Sequence, residues 1–113
     1  MDYSQLSDFE INKRVADIVM NGTWRVRPSH PDNATGGWLY GSNGIQTYDL
    51  PDYCNNPADA WPIIESNYIA LHPLKHKSVW IAVSDDQEHT FRDAKPMRAA
   101  MVIFLMSKES FNA

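Results

Sequence analysis

Cys54, His72, His76 and His89 are the side chains with which this sequence could hold a transition metal, and "HPLKH" sets two of the histidines four residues apart. That spacing converges on one ion only within a helix, and a metal site needs three or four ligands with supporting groups behind them. The stretch "HPLKHKS" reads instead as a loop, so ordinary surface histidines are expected. Cys54 beside a histidine base would make a nucleophile, but no local motif supports that pairing, and a partly buried, inert thiol is expected. Asp52, Asp59 and Glu65 are isolated carboxylates of the kind that solvate a surface or cap a turn. The glycines of "TGGWLYGSNG" lack both the strand-to-helix setting and the lysine and hydroxyl pair of a phosphate loop, so they read as turn glycines. No residue therefore stands out as catalytic, cofactor-binding or metal-ligating, and no cofactor is expected.

Binding is the chemistry left to consider. Lys75, Lys77, Arg92, Lys95 and Arg98 fall along a strand, strand, helix succession like the closing half of a double-stranded-RNA-binding domain, where basic residues at the start of the last helix meet phosphates. Asp85, Asp86, Glu88 and Asp93 interrupt the same stretch, so the local field is expected nearly to cancel. The whole chain carries a formal charge of −4 and a pI near 5.4, opposite in sign to the usual footprint of a nucleic-acid binder. Nucleic acid therefore stands second to another protein as the expected partner. For a protein contact the residues singled out are Trp38 and Tyr40 in the middle of the chain and Ile103 and Met106 near its end.

These residues need a frame. At 113 residues the chain fits one domain, and its 43% hydrophobic and 21% charged residues are those of an ordinary globular protein. Trp24, Trp38, Trp61 and Trp80 are spread along the whole length, as though one core drew on every segment. The lone cysteine excludes an intramolecular disulfide framework and favours a reducing compartment. The start "MDYSQLSDFE" does not read as a signal peptide. The apolar run "AAMVIFLM" is far short of the ~20 residues that a membrane span needs, so a cytoplasmic protein is expected.

"LSDFEI" places Ser7 as N-cap and Glu10 at N3, with Leu6 and Ile11 as the apolar staple. The spacing of Ile11, Val15, Ile18 and Val19 predicts a helix from about 7 to 20. "TWRVR" alternates as a strand, and "WLYGSNGIQTY" reads as a hairpin turning at Asn43 and Gly44. Asn56 and Pro57 start a middle helix, within which Pro62 would break the bonding. A bend there is expected, with Trp61, Ile63 and Ile64 buried on the inner side. "YIAL" then gives a short strand, and "VWIAVS" and "EHTFR" a second hairpin. Asp93 caps a final helix whose apolar residues 99–106 exceed what one buried face requires. That helix must be enclosed, or else covered by another copy of the chain, so a homodimer is an open expectation. The outline is a single α+β domain: a small antiparallel sheet carrying the N-terminal and C-terminal helices, with a short proline-containing helix between them.

"NPADAWPIIESNYIAL", "VWIAV" and "AMVIFLMSKES", in this order and spacing, resemble the pattern of the phage NinX-like family, with "AWPIIE" the most specific piece. The likeness covers roughly residues 50 to 110 well and the capped N-terminal helix loosely. It implies a small protein of a lambdoid phage or prophage, working in the cytoplasm of a bacterial host. It implies as well that Pro62 begins a helix. The partner to expect is then a host or phage protein. The family brings no catalytic or binding residues with it.

Overall fold

The computed structural model describes residues 2–19, 27–28, 38–40, 48–49 and 51–109. After a 3-10 turn at Tyr3–Gln5, helix α1 runs over Asp8–Val19. Its start is the capping box read from the sequence: the Glu10 N–H donates to Ser7 Oγ at 3.1 Å, and the Ser7 N–H donates to Glu10 Oε1 at 3.0 Å. Ile11, Val15 and Ala16 are wholly buried, whereas Val19, expected inside, is 47% exposed. Asn12, expected on the polar side, is buried as well. It receives the Cys54 N–H at 3.0 Å and donates to Asp52 at 3.0 Å, tying α1 to the segment before the middle helix.

Strands β1 (Arg27–Pro28), β2 (Trp38–Tyr40) and β3 (Tyr48–Asp49) form an antiparallel sheet in the order β1-β2-β3. Tyr40 faces Tyr48 across the pair, so the hairpin expected over 38–48 is present. Its turn at Asn43 and Gly44, and most of the strand expected over 23–27, lie outside the described residues.

Helix α2 is one element, Pro57–Ser66, with Pro62 inside it. This corrects the expectation that a helix begins at Pro62. Asn56 Oδ1 accepts the Ala58 N–H at 3.0 Å, and Pro57 occupies the first turn, where its missing donor costs nothing. Pro62 and Ala58 are both exposed. The carbonyl that loses its partner to the proline therefore belongs to a residue that water reaches, which lowers the usual cost of ~3 kcal/mol. Ala60, Ile63 and Ile64 are the buried side.

Strands β4 (Ala70–Leu74), β5 (Val79–Val83) and β6 (Thr90–Asp93) make a second antiparallel sheet in the order β4-β5-β6. Strand β4 takes in His72 and Pro73, which were expected in a loop. Pro73 is tolerated because β4 is an edge strand. A 3-10 turn at Lys75–Lys77, closed by Ser78 in the left-handed region at φ 55°, leads into β5. The register aligns Leu71, Ala82 and Phe91 on one face and His72, Ile81 and Arg92 on the other.

Helix α3, Pro96–Glu109, packs against β5 and β6 on the first of these faces, and α1 and α2 pack against α3. Every residue from Arg98 to Leu105 is buried, so the surplus apolar surface is covered within the chain. The carboxylate of Asp93 receives the Lys95 N–H at 2.8 Å just ahead of the first turn. Arg98, though charged, is only 8% exposed. It bonds Asp8 at 2.7 Å, Asp93 at 3.3 Å and the Leu6 carbonyl at 2.6 Å, and Lys95 also pairs with Asp8. Among the described residues no buried side-chain nitrogen or oxygen lacks a partner, and no helix is long and apolar enough to cross a membrane.

Candidate protein-contact surface

The residues picked for chemistry have structural neighbours. Cys54 is free and 1% exposed, its Sγ meets the Asp8 carbonyl at 3.8 Å, and its backbone N–H is held by Asn12. Burial, reinforced by the Asp8 charge, pushes its thiol up to about 12, far from the thiolate that a nucleophile requires. Asp52 accepts from Asn12 and Asn55, and Asp59 accepts the Asp52 N–H at 3.0 Å, so both carboxylates hold the turn that enters α2. Among the described residues no three His, Cys, Asp or Glu side chains gather as a metal group.

The basic residues divide into two sets. Arg98 and Lys95 belong to the ion-paired junction of α1 with α3. Burial acts against the charge of Asp8, but hydrogen bonds from Lys95, Asn55 and Arg98 outweigh it and hold the carboxyl below its ordinary range. The bond that Lys95 donates to Asp8 raises Lys95 in turn. Arg98 is thus corrected from a phosphate contact to a buried structural cation. Lys75, Lys77 and Arg92 are exposed, and their side chains have no hydrogen bond or ion pair among the described residues. The cancellation expected from the sequence is also corrected for three of its four carboxylates, since Asp93, in register with Trp80, stays at the basic end and pairs with Arg98. Asp85, Asp86 and Glu88 sit in the β5–β6 turn, at the opposite end of the sheet from Lys75 and Lys77 in the β4–β5 connection.

Of the residues expected to meet a protein, Ile103 has no exposed surface. It is a core residue, because the full turn of α3 around it is enclosed by α1, α2 and the sheet. Met106 is half-buried against the same core. Trp38 and Tyr40 lie on β2, and Tyr40 pairs in register with Tyr48.

A different surface emerges on α2. Its inward stripe is Ala60, Ile63, Ile64 and Asn67, so the opposite stripe is Ala58, Trp61, Pro62 and Glu65, all exposed. Trp61, expected in the core, is 54% exposed, and Tyr68 just beyond the helix is 75% exposed. The backbone explains how Tyr68 is held. Its N–H donates to the Glu65 carbonyl at 3.3 Å and that of Ile69 to the Ile64 carbonyl at 3.1 Å, the paired closure of a helix end that normally uses glycine. Tyr68 occupies that position at φ 53°. For a residue with a Cβ the left-handed conformation costs roughly 1–2 kcal/mol, and the ring recovers little of it by packing. A sequence signal for this surface did exist. A proline within a helix is best placed on the solvent side, and Trp61, Pro62 and Glu65 share one face with it.

The chain belongs to the phage family described as Bacteriophage P22, NinX, whose model matches residues 2–108. The likeness read from residues 50 to 110 thus extends over nearly the whole chain, and the protein is a phage accessory protein. No curated protein and no solved structure matches it.

Proposed function

We propose that this phage accessory protein acts by binding another protein, of the phage or of its bacterial host, through the outer face of α2, and that it works in the host cytoplasm. The observation that carries the reading is the exposed aromatic pair, Trp61 at 54% and Tyr68 at 75%. Tryptophan and tyrosine are the residues that most often anchor protein interfaces, and here one of them is kept exposed at a conformational cost. Affinity capture from host lysate tests it, run with the parent and with a Trp61→Ala, Tyr68→Gly double variant at low and high salt. A captured protein that is lost in the double variant and still retained at high salt supports the reading. Capture that survives both substitutions overturns it.

A second reading, binding of nucleic acid, draws on the exposed cations Lys75 and Lys77 at one end of the sheet and Arg92 in the middle of it. Phosphate contacts weaken steeply as salt rises. Nucleic acid recovered only at low salt, and lost when Lys75 and Lys77 become glutamine, would favour that reading over the first.

A further inference from the structure

Next to Tyr68 the surface opens into a cleft of about 260 Å3, whose walls include Asn67, Tyr68, Asp85, Asp86, Ser107 and Lys108. We propose that this cleft takes an arginine side chain from a basic segment of the bound protein, an inference that rests on the α2 binding face and assigns its partner a chemistry. Several independent features favour a cation there. The last turn of α2 and the last turn of α3 both line the cleft, which brings the negative ends of two helix dipoles to one place. Asp85 is exposed and has no hydrogen bond or ion pair among the described residues. Asp86 is fixed in position through Oδ1, which accepts from Ser84 Oγ at 2.7 Å and from the Glu88 N–H at 3.0 Å.

Lys108, the one cation among the described residues that line the cleft, has its Nζ 5.7 Å from the centroid of the Phe104 ring. Two carboxylates against one ammonium leave the side-chain charge of the cleft negative. Tyr68, exposed and pinned by the helix closure, presents a ring on which a guanidinium can stack while its N–H groups reach a carboxylate. An ammonium would satisfy the charge without the stacking or the paired bonds. A phosphate would be repelled.

The test is a titration of the 15N-labelled protein with N-acetyl-arginine amide, with N-acetyl-citrulline amide as the uncharged isostere. Saturable amide shifts confined to residues 66–69, 84–86 and 107–108 are expected for the arginine probe in the millimolar range, and none for citrulline. Asp85→Asn and Tyr68→Gly should each weaken binding roughly ten-fold, the loss expected for one charge-assisted or cation–π contact. Both substitutions lie on exposed residues, so folded spectra are expected. Equal shifts from the two probes, no localised shift, or full binding by Asp85→Asn would overturn the inference. Each of those results leaves the α2 reading to be judged by the capture experiment, which, run with Trp61→Ala alone, depends on a residue outside the cleft.

Discussion

Replacing Tyr68 with glycine should make the protein more stable. Tyr68 closes α2 at φ 53°, and the left-handed region costs a residue with a Cβ roughly 1–2 kcal/mol that glycine avoids. Against this, glycine frees the unfolded chain and returns about 0.5–1 kcal/mol of the gain. The ring is 75% exposed, so its removal forfeits little buried surface. The balance is a gain of about 0.5–1 kcal/mol, or about 2–5 °C in Tm for a domain of this size. Tyr68→Ala separates the two contributions, because alanine removes the ring and keeps the Cβ. It should be no more stable than the parent. Urea and thermal unfolding followed by circular dichroism read both variants. If Tyr68→Gly is less stable than the parent by ~1 kcal/mol or more, the ring packs in solution and the argument from backbone conformation fails.

Trp61→Ala should cost less than about 1 kcal/mol in urea unfolding, as for an exposed residue, where a core tryptophan would lose ~3–5 kcal/mol. The junction of Asp8, Lys95 and Arg98 should set the acid limb of stability. The folded pKa of Asp8 lies below its unfolded value, so its contribution is complete above the unfolded value of about 3.9 and disappears as pH falls through the folded one. Asp8→Asn should flatten that limb and, by depriving buried Arg98 of a partner, cost about 3 kcal/mol at neutral pH. An unchanged acid limb would show that other carboxylates govern it. Cys54, buried and with its thiol raised to about 12, should react with a thiol reagent at neutral pH only under denaturing conditions. Rapid reaction of the native protein would mean that the α1 to α2 segment opens readily.

How much of this was legible in the sequence depends on how far apart the interacting residues lie. Ser7 and Glu10 are three residues apart and cap α1 through their own backbone, so a short window is enough to read them. The β5–β6 hairpin and the apolar surplus of α3 are likewise local patterns. Arg98 looked like a free cation because Asp8, the residue that neutralises it, lies 90 positions earlier. Asp85, Asp86 and Glu88 cancel Lys75 and Lys77 in a linear reading, yet the antiparallel hairpins send the two sets to opposite ends of the sheet, while Asp93 stays at the basic end and pairs with Arg98. Trp61 was misplaced because a large aromatic was weighed by its type. The helical phase set by Ala60, Ile63 and Ile64, which puts it outside, was the better guide. Tyr68 carried no signal, since nothing in a tyrosine announces a conformation that glycine normally supplies.

The central claim, that the outer face of α2 meets another protein, is tested most directly by photo-cross-linking in bacteria producing the protein, with benzoylphenylalanine in place of Trp61 and, separately, of Lys75. A discrete protein adduct from position 61, absent from position 75, is the expected result. Adducts from position 75 alone, whether to protein or to nucleic acid, would place the working surface at the basic end of the sheet and contradict the assignment of α2.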